Sequence, residues 1–394
     1  MTHTPRLSRR EFSRQAAVTT LAAVAAPVLP SWHAGTTSPG VQPGRAAPWP
    51  GYDQAFVLDM LATAGPFNVP DMFGKPLTPA MVDNARRSGI TAVNSTIHGF
   101  GSSPAEIYEQ TVQNIAAWHH EFVLHAGTFL QVRTLADVRR AKEDRKVGVI
   151  FGFQDTTPYW DQPGRIETFR RLGVRIVQLT YNGSNLVGDG CLVPEDRGLK
   201  PFGRDVVARL NENRTLIDLS HVGWETTRQT IDASKVPVAA THSGAAAVNN
   251  VPRCKPDDVL KKLANRGGVV GVFMMPFLRA QGQPTADDFM KHLSYCINLC
   301  GEDHVGVGSD LSTTPLDLTP EFRRLHAGFV RQRREQGISA PGEDENTFNY
   351  VPEFNQPRRL ELVADAMARA GHSSARIEKV IGTNWLRLLG EVWG

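Results

Sequence analysis

Between Leu216 and Gly244 the chain reads LIDLSHVGW, then a charged stretch to Lys235, then VPVAATHSG. Two short apolar runs each end in a histidine, His221 and His242, and a turn follows each. Short apolar runs bounded by turn signals read as buried parallel strands, and Glu225–Ser234 between them is long enough for a crossover helix. The unit is therefore βαβ, with both histidines at strand carboxyl ends. In a closed parallel barrel those ends face one another across the mouth, where active sites are built. Two imidazoles there make one half of a metal site.

The same pattern repeats along the chain. Apolar runs occur at Gln54–Met60, Ile90–Ile97, Val147–Phe153, Val174–Thr180, Thr215–Leu219, Pro237–Thr241, Gly268–Phe273 and His304–Ser309, with a short extra strand near Phe129. Helical stretches separate them, including Thr78–Ser88, Pro104–Phe122 and Leu135–Asp144. Eight strands alternating with helices predict an α/β fold, a (β/α)8 TIM-type barrel, over residues 50–394. From Leu311 to Arg359 the barrel periodicity stops, and this polar insertion is expected to lie over the mouth. Helix returns in Leu360–Ala370 and Ile377–Leu389, where Trp385 and Leu386 look like packing residues.

Residues 1–34 stand apart from the barrel. Ser8-Arg9-Arg10-Glu11-Phe12 followed by the alanine-rich run Ala16–Leu29 reads as a twin-arginine export signal and a flexible start. The expected partner is the Tat export machinery and the expected location is the periplasm or beyond. A formal net charge of +3 over 394 residues, partly in that leader, leaves no basic stripe for nucleic acid. The four cysteines, Cys191, Cys254, Cys296 and Cys300, form no CxxC framework, and the last two share a helical face at a spacing unsuited to a disulfide.

Positions just past the strands should form the rim of one pocket. They hold Asp59, His98, Gln154-Asp155, Tyr181-Asn182, His221, His242 and Asp310. The metal candidates are His221, His242, Gln154 and Asp310, with His98 and Asp59 as lesser ones. Asp310 is a candidate general base; its other reading is an acceptor that orients one of the imidazoles. Arg253, with a guanidinium fork suited to a carboxylate, and Asp155 are candidate substrate contacts. Imidazole-rich donors favour zinc, iron or copper over magnesium.

Several long motifs resemble one family in one order: GLKPFGRDVVARLN, IDLSHV, THSGA, PRCKPDD, DHVGVGSD and GTNWLRL. The chain is similar to the membrane (renal) dipeptidases, peptidase family M19. The resemblance implies a metal-dependent barrel, a two-zinc site, His221 and His242 as ligands of the second zinc, Asp310 as a ligand of the first, and Arg253 on a substrate carboxylate. It also implies a dipeptide or small-molecule substrate and a homodimer. The departures lie after the first, third and fourth strands. There the family carries Asp-Gly-His-Asn-Asp, a metal-bridging glutamate and a substrate-contacting histidine; this chain has Asp59-Met60-Leu61-Ala62-Thr63, Gln154 and Tyr181. With these ligands gone, one divalent metal at most is expected, zinc first among the candidates, and Tyr181 becomes a catalytic candidate. The expected activity is hydrolysis of a dipeptide or another small amide bearing a carboxylate. The alternative is a dipeptidase scaffold turned to maturing an exported secondary metabolite or to binding a small ligand.

Overall fold

A computed structural model describes residues 48–67 and 74–394. The export signal expected in residues 1–34 lies outside them. The strands are β1 (Leu58–Asp59), β2 (Ala62–Thr63), β3 (Ala92–Thr96), β4 (Phe129–Val132), β5 (Val147–Phe153), β6 (Val174–Gln178), β7 (Leu216–Asp218), β8 (Ala239–Ser243), β9 (Val269–Val272), β10 (Val305–Val307) and β11 (Leu311–Ser312). The main sheet runs β1-β3-β5-β6-β7-β8-β9-β10, with β4 paired to β5 at the side. Its pairs are all parallel. The Met60 N–H donates to the Val307 carbonyl at 3.1 Å and joins the two ends of the path. The fold is thus a nearly closed parallel α/β barrel of the TIM type.

Helices fill the crossovers, several of them opened by a side-chain cap. Thr78 caps Pro79–Arg87, and Thr134 forms a capping box with Asp137 at the head of Leu135–Glu143. Strands such as β5, buried at every position, must be covered on both faces, by barrel interior on one and helices on the other.

The closing helix Asn384–Trp393 seals the end opposite the mouth. Trp385, Leu388 and Leu389 pack with Leu58, Ala92, Leu216, Ala239 and Val269, the first residues of five strands. Gly306 and Gly271 make room for Trp385: a Cβ on them would sit 2.2 Å and 3.0 Å from the indole. With that end plugged, ligand access belongs to the other.

Two expectations change. The first run does not form one strand over Gln54–Met60; only Leu58–Asp59 pairs with β3, and the chain breaks at Met60-Leu61 before pairing again as β2 with β11. The insertion also contains a regular helix, Pro320–Glu335, whose buried positions are only His326 and Val330. The described residues form one compact unit. The four cysteines are free thiols, and Cys191, Cys254 and Cys296 are buried.

Candidate active site at the barrel mouth

Buried Asp218, on the last residue of β7, organises one side of the mouth. Its carboxylate accepts from Ser220 N (3.0 Å), Ser220 Oγ (2.5 Å), Thr241 N (2.9 Å) and Thr241 Oγ1 (2.6 Å), tying the ends of β7 and β8 together. Burial still pushes Asp218 above the usual carboxylate range, with those hydrogen bonds pulling the other way. His221 and His242 rise from this base with ring centroids 5.1 Å apart.

The hydrogen bonds set each imidazole's tautomer. Asn182 Nδ2 donates to the Ile338 carbonyl, so its Oδ1 accepts from His221 Nδ1 at 2.6 Å. Thr241 Oγ1 gives its proton to Asp218 and accepts from His242 Nδ1 at 2.9 Å. Both rings therefore turn a lone pair outward on Nε2. His221 Nε2 is buried with no hydrogen-bond partner, and His242 Nε2 meets only the Gln154 amide nitrogen at 3.3 Å. Burial holds both imidazoles well below their ordinary value, and Arg253 and Lys255 push both the same way. Both are neutral at pH 7, the form that binds metal. An orienting partner on Nδ1 and a free Nε2 are the usual features of a histidine ligand.

The facing side differs. Buried Leu61 and half-buried Thr63 stand where the resemblance expects ligands. Asp59 is fully buried, but its oxygens accept from Ser309 N (2.7 Å) and Ser309 Oγ (2.6 Å), and Arg359 Nε lies 3.5 Å from it. Asp155 is likewise engaged, by Thr157 N (2.6 Å), Tyr181 N (2.9 Å) and the Thr157 hydroxyl. His98 is buried; its Nδ1 meets the Gly99 carbonyl at 2.8 Å and its Nε2 has no partner. Among the described residues no three of His, Cys, Asp and Glu come together as a metal group. Asp310 thus does not complete a triad with His221 and His242.

Asp310 follows β10 in the left-handed region, φ 62°, uncommon for a residue with a side chain. Its N–H donates to the Leu61 carbonyl at 2.8 Å, which fixes that backbone. Burial raises its carboxyl to about 7, Arg253 pulls it down and Asp59 pushes it up. Such a group changes protonation near neutrality, as a general base must.

Arg253 is buried. One guanidinium nitrogen donates to the Ser220 carbonyl at 2.8 Å, and the other, Nη2, has no partner. Tyr181 stacks on His221 with centroids 4.2 Å apart. Arg333 from the insertion helix lies 5.9 Å from the Tyr181 ring and pairs with Glu343 at 2.7 and 2.8 Å. The insertion therefore reaches the mouth beside His221, as its position after the last strand suggested. Sequence reasoning missed Arg333, Lys255 and the roles of Asp218 and Asn182. Only Asp218 carried a signal, a carboxylate inside an apolar strand.

Comparison with known proteins agrees with this geometry. The model of the membrane dipeptidase family, peptidase family M19, matches residues 81–327. A Klebsiella pneumoniae protein from the pqqA 5' region is 26% identical over 303 residues, 74% of this chain and 99% of that protein. The dipeptidase verJ of Clonostachys rogersoniana is 30% identical over 237 residues, 58% of this chain and 60% of the fungal protein's length. Among solved structures, an amidohydrolase from Pseudomonas aeruginosa superposes with a TM-score of 0.74 at 31% identity, covering 87% of this chain and 98% of that one. With the paired imidazoles at the barrel mouth and the family model spanning more than half its length, the chain belongs to the membrane dipeptidase family, peptidase family M19.

Proposed function

We propose that the chain is an exported hydrolase of a dipeptide, or another small amide bearing a carboxylate, which works with one divalent ion at the barrel mouth. Dipeptidases of this family are metal-dependent. A two-metal centre does not fit these residues, because Leu61, Thr63 and Gln154 supply no charge to hold two dications together. A single ion does fit. The observation that carries the reading is the pair of neutral imidazoles with Nδ1 held and Nε2 turned outward, the one on His221 without a partner. The Gln154 side-chain oxygen, after an amide flip, is the natural third donor. Zinc suits two imidazoles and an amide, with iron and copper next.

When bound, the ion would supply Lewis acidity toward the scissile carbonyl. The chain's own residues do the rest. The unpartnered Arg253 Nη2 offers a donor to a substrate carboxylate, buried where the charge-assisted bond is strong. Asp310, ionised above about pH 7, takes the proton from the attacking water. Tyr181 keeps the His221 ring in place by stacking. The twin-arginine motif Arg9-Arg10 supports export through the Tat machinery to the periplasm.

A second reading has its own support. Arg253, Arg333 and Lys255 bias the His221 imidazole, which makes this side cationic and better suited to an anion than to a dication. On that reading the scaffold binds or matures a small anionic metabolite without peptide hydrolysis. The test is hydrolysis of a dipeptide panel by protein stripped of metal and reloaded with zinc, manganese, iron or copper. Turnover restored by one metal supports the hydrolase; no turnover with any metal leaves the second reading.

A further inference from the structure

A cavity of about 220 Å³ lies between the segment after β2 and the insertion. Phe67, Leu311, Leu316, Phe322 and Tyr350 give it apolar and aromatic walls, and Arg359 lines it as well. The cavity borders the β1/β10 side of the mouth, where Arg359 pairs with Asp59, but His221, His242, Arg253, Tyr181 and Asp310 do not line it.

Arg359 is the informative residue. It is 2% exposed, and one guanidinium nitrogen donates to the Ser312 carbonyl at 2.5 Å. Its Nε and Nη2 have no hydrogen-bond partner. Asp59 forms a buried ion pair with it, 3.5 Å from Nε, which leaves Nη2 as the open donor. A buried guanidinium with an open donor is costly unless an acceptor meets it. His326, also at the wall, directs Nε2 to the carbonyls of Asp344 and Thr347, so it does not compete for a ligand acid. Asp317 lines the cavity too, but it is exposed.

We propose that this cavity is a second binding site, for a small carboxylate-bearing molecule with an aromatic or aliphatic body, its acid on Arg359 and its body among Phe67, Leu316, Phe322 and Tyr350. A carboxylate oxygen on the open Nη2 would make a charge-assisted hydrogen bond. The volume suits one ring with a short acid arm, since an apolar cavity of about 150 Å³ accepts benzene. The site needs neither the ion nor hydrolysis at the mouth.

The test is calorimetric titration of the full chain with phenylacetate and with its neutral counterpart phenylacetamide. Phenylacetate is expected to bind once per chain, and the amide about tenfold or more weakly. Arg359→Met should erase that preference, and Leu316→Trp should abolish binding by filling the cavity while keeping the arginine. Thermal melts of each variant separate lost binding from lost fold, and Leu316→Trp decides the matter if Arg359→Met does not fold. Equal binding of acid and amide, no binding at millimolar phenylacetate, or retention of the preference in Arg359→Met would overturn the proposal.

Discussion

The β7/β8 side of the mouth and the β1/β10 side are built alike and equipped differently. Each has a fully buried aspartate at a strand end, Asp218 or Asp59, and each aspartate accepts a serine N–H and hydroxyl from close by. On the first side, that base extends through Thr241 to the His242 imidazole, whose Nε2 lone pair meets only the Gln154 amide. On the second it meets Leu61, Thr63 and the guanidinium of Arg359. The same carboxylate–serine support thus underlies two very different sets of side chains. Ligand chemistry and scaffold stability are separable, because the buried aspartates hold strand ends whatever the side chains above them bind.

The sharpest way to break this comparison is to remove the equipped side. His221→Ala with His242→Ala should abolish zinc binding and bring turnover to background, with urea unfolding showing the fold intact. If Leu61→Ala or Thr63→Ala did the same, the two sides would not differ as described.

Next in size is Asp310→Asn, expected to lower turnover about 100-fold or more. In the unchanged protein kcat/KM should rise with pH through about 7, and the variant should lose that limb. Stability moves the other way. The folded carboxyl sits at about 7, above its ordinary 3.8, so the unfolded chain releases this proton first. The Asp310 contribution is therefore neutral below about pH 4 and becomes destabilising as pH rises toward 7, which urea titrations of both proteins at a series of pH values would resolve.

Asn182→Ala removes the acceptor that fixes His221 and should weaken zinc affinity about 10- to 100-fold, read by competition with a chromogenic chelator. Unchanged affinity would mean that the His221 tautomer is set elsewhere. The smallest effect belongs to Arg333→Met at the insertion, where loss of the Glu343 pair should raise KM about threefold with kcat held.

Much of the barrel was legible because its strands are buried on both faces. Val147–Phe153 was read to the residue, and the helix starts at Thr78 and Thr134 follow from side-chain caps. The first strand was misjudged because apolar residues continue through a backbone break whose partner, β11, lies about 250 residues away in sequence. The insertion helix escaped notice because two buried positions in sixteen residues give no 3.6 period. At the site, His221 and His242 were visible as strand-end imidazoles. Arg333 was one arginine among many in a polar helix, and its approach to Tyr181 is a tertiary fact. The second cavity was invisible for the same reason: Arg359 reads as the end of the polar insertion, and only packing shows it buried.

Zinc stoichiometry by native mass spectrometry on the metal-stripped and reloaded protein tests the central claim most directly. One ion per chain, absent from the His221→Ala/His242→Ala protein, is the predicted result. Two ions per chain, or one that survives the double substitution, would contradict it.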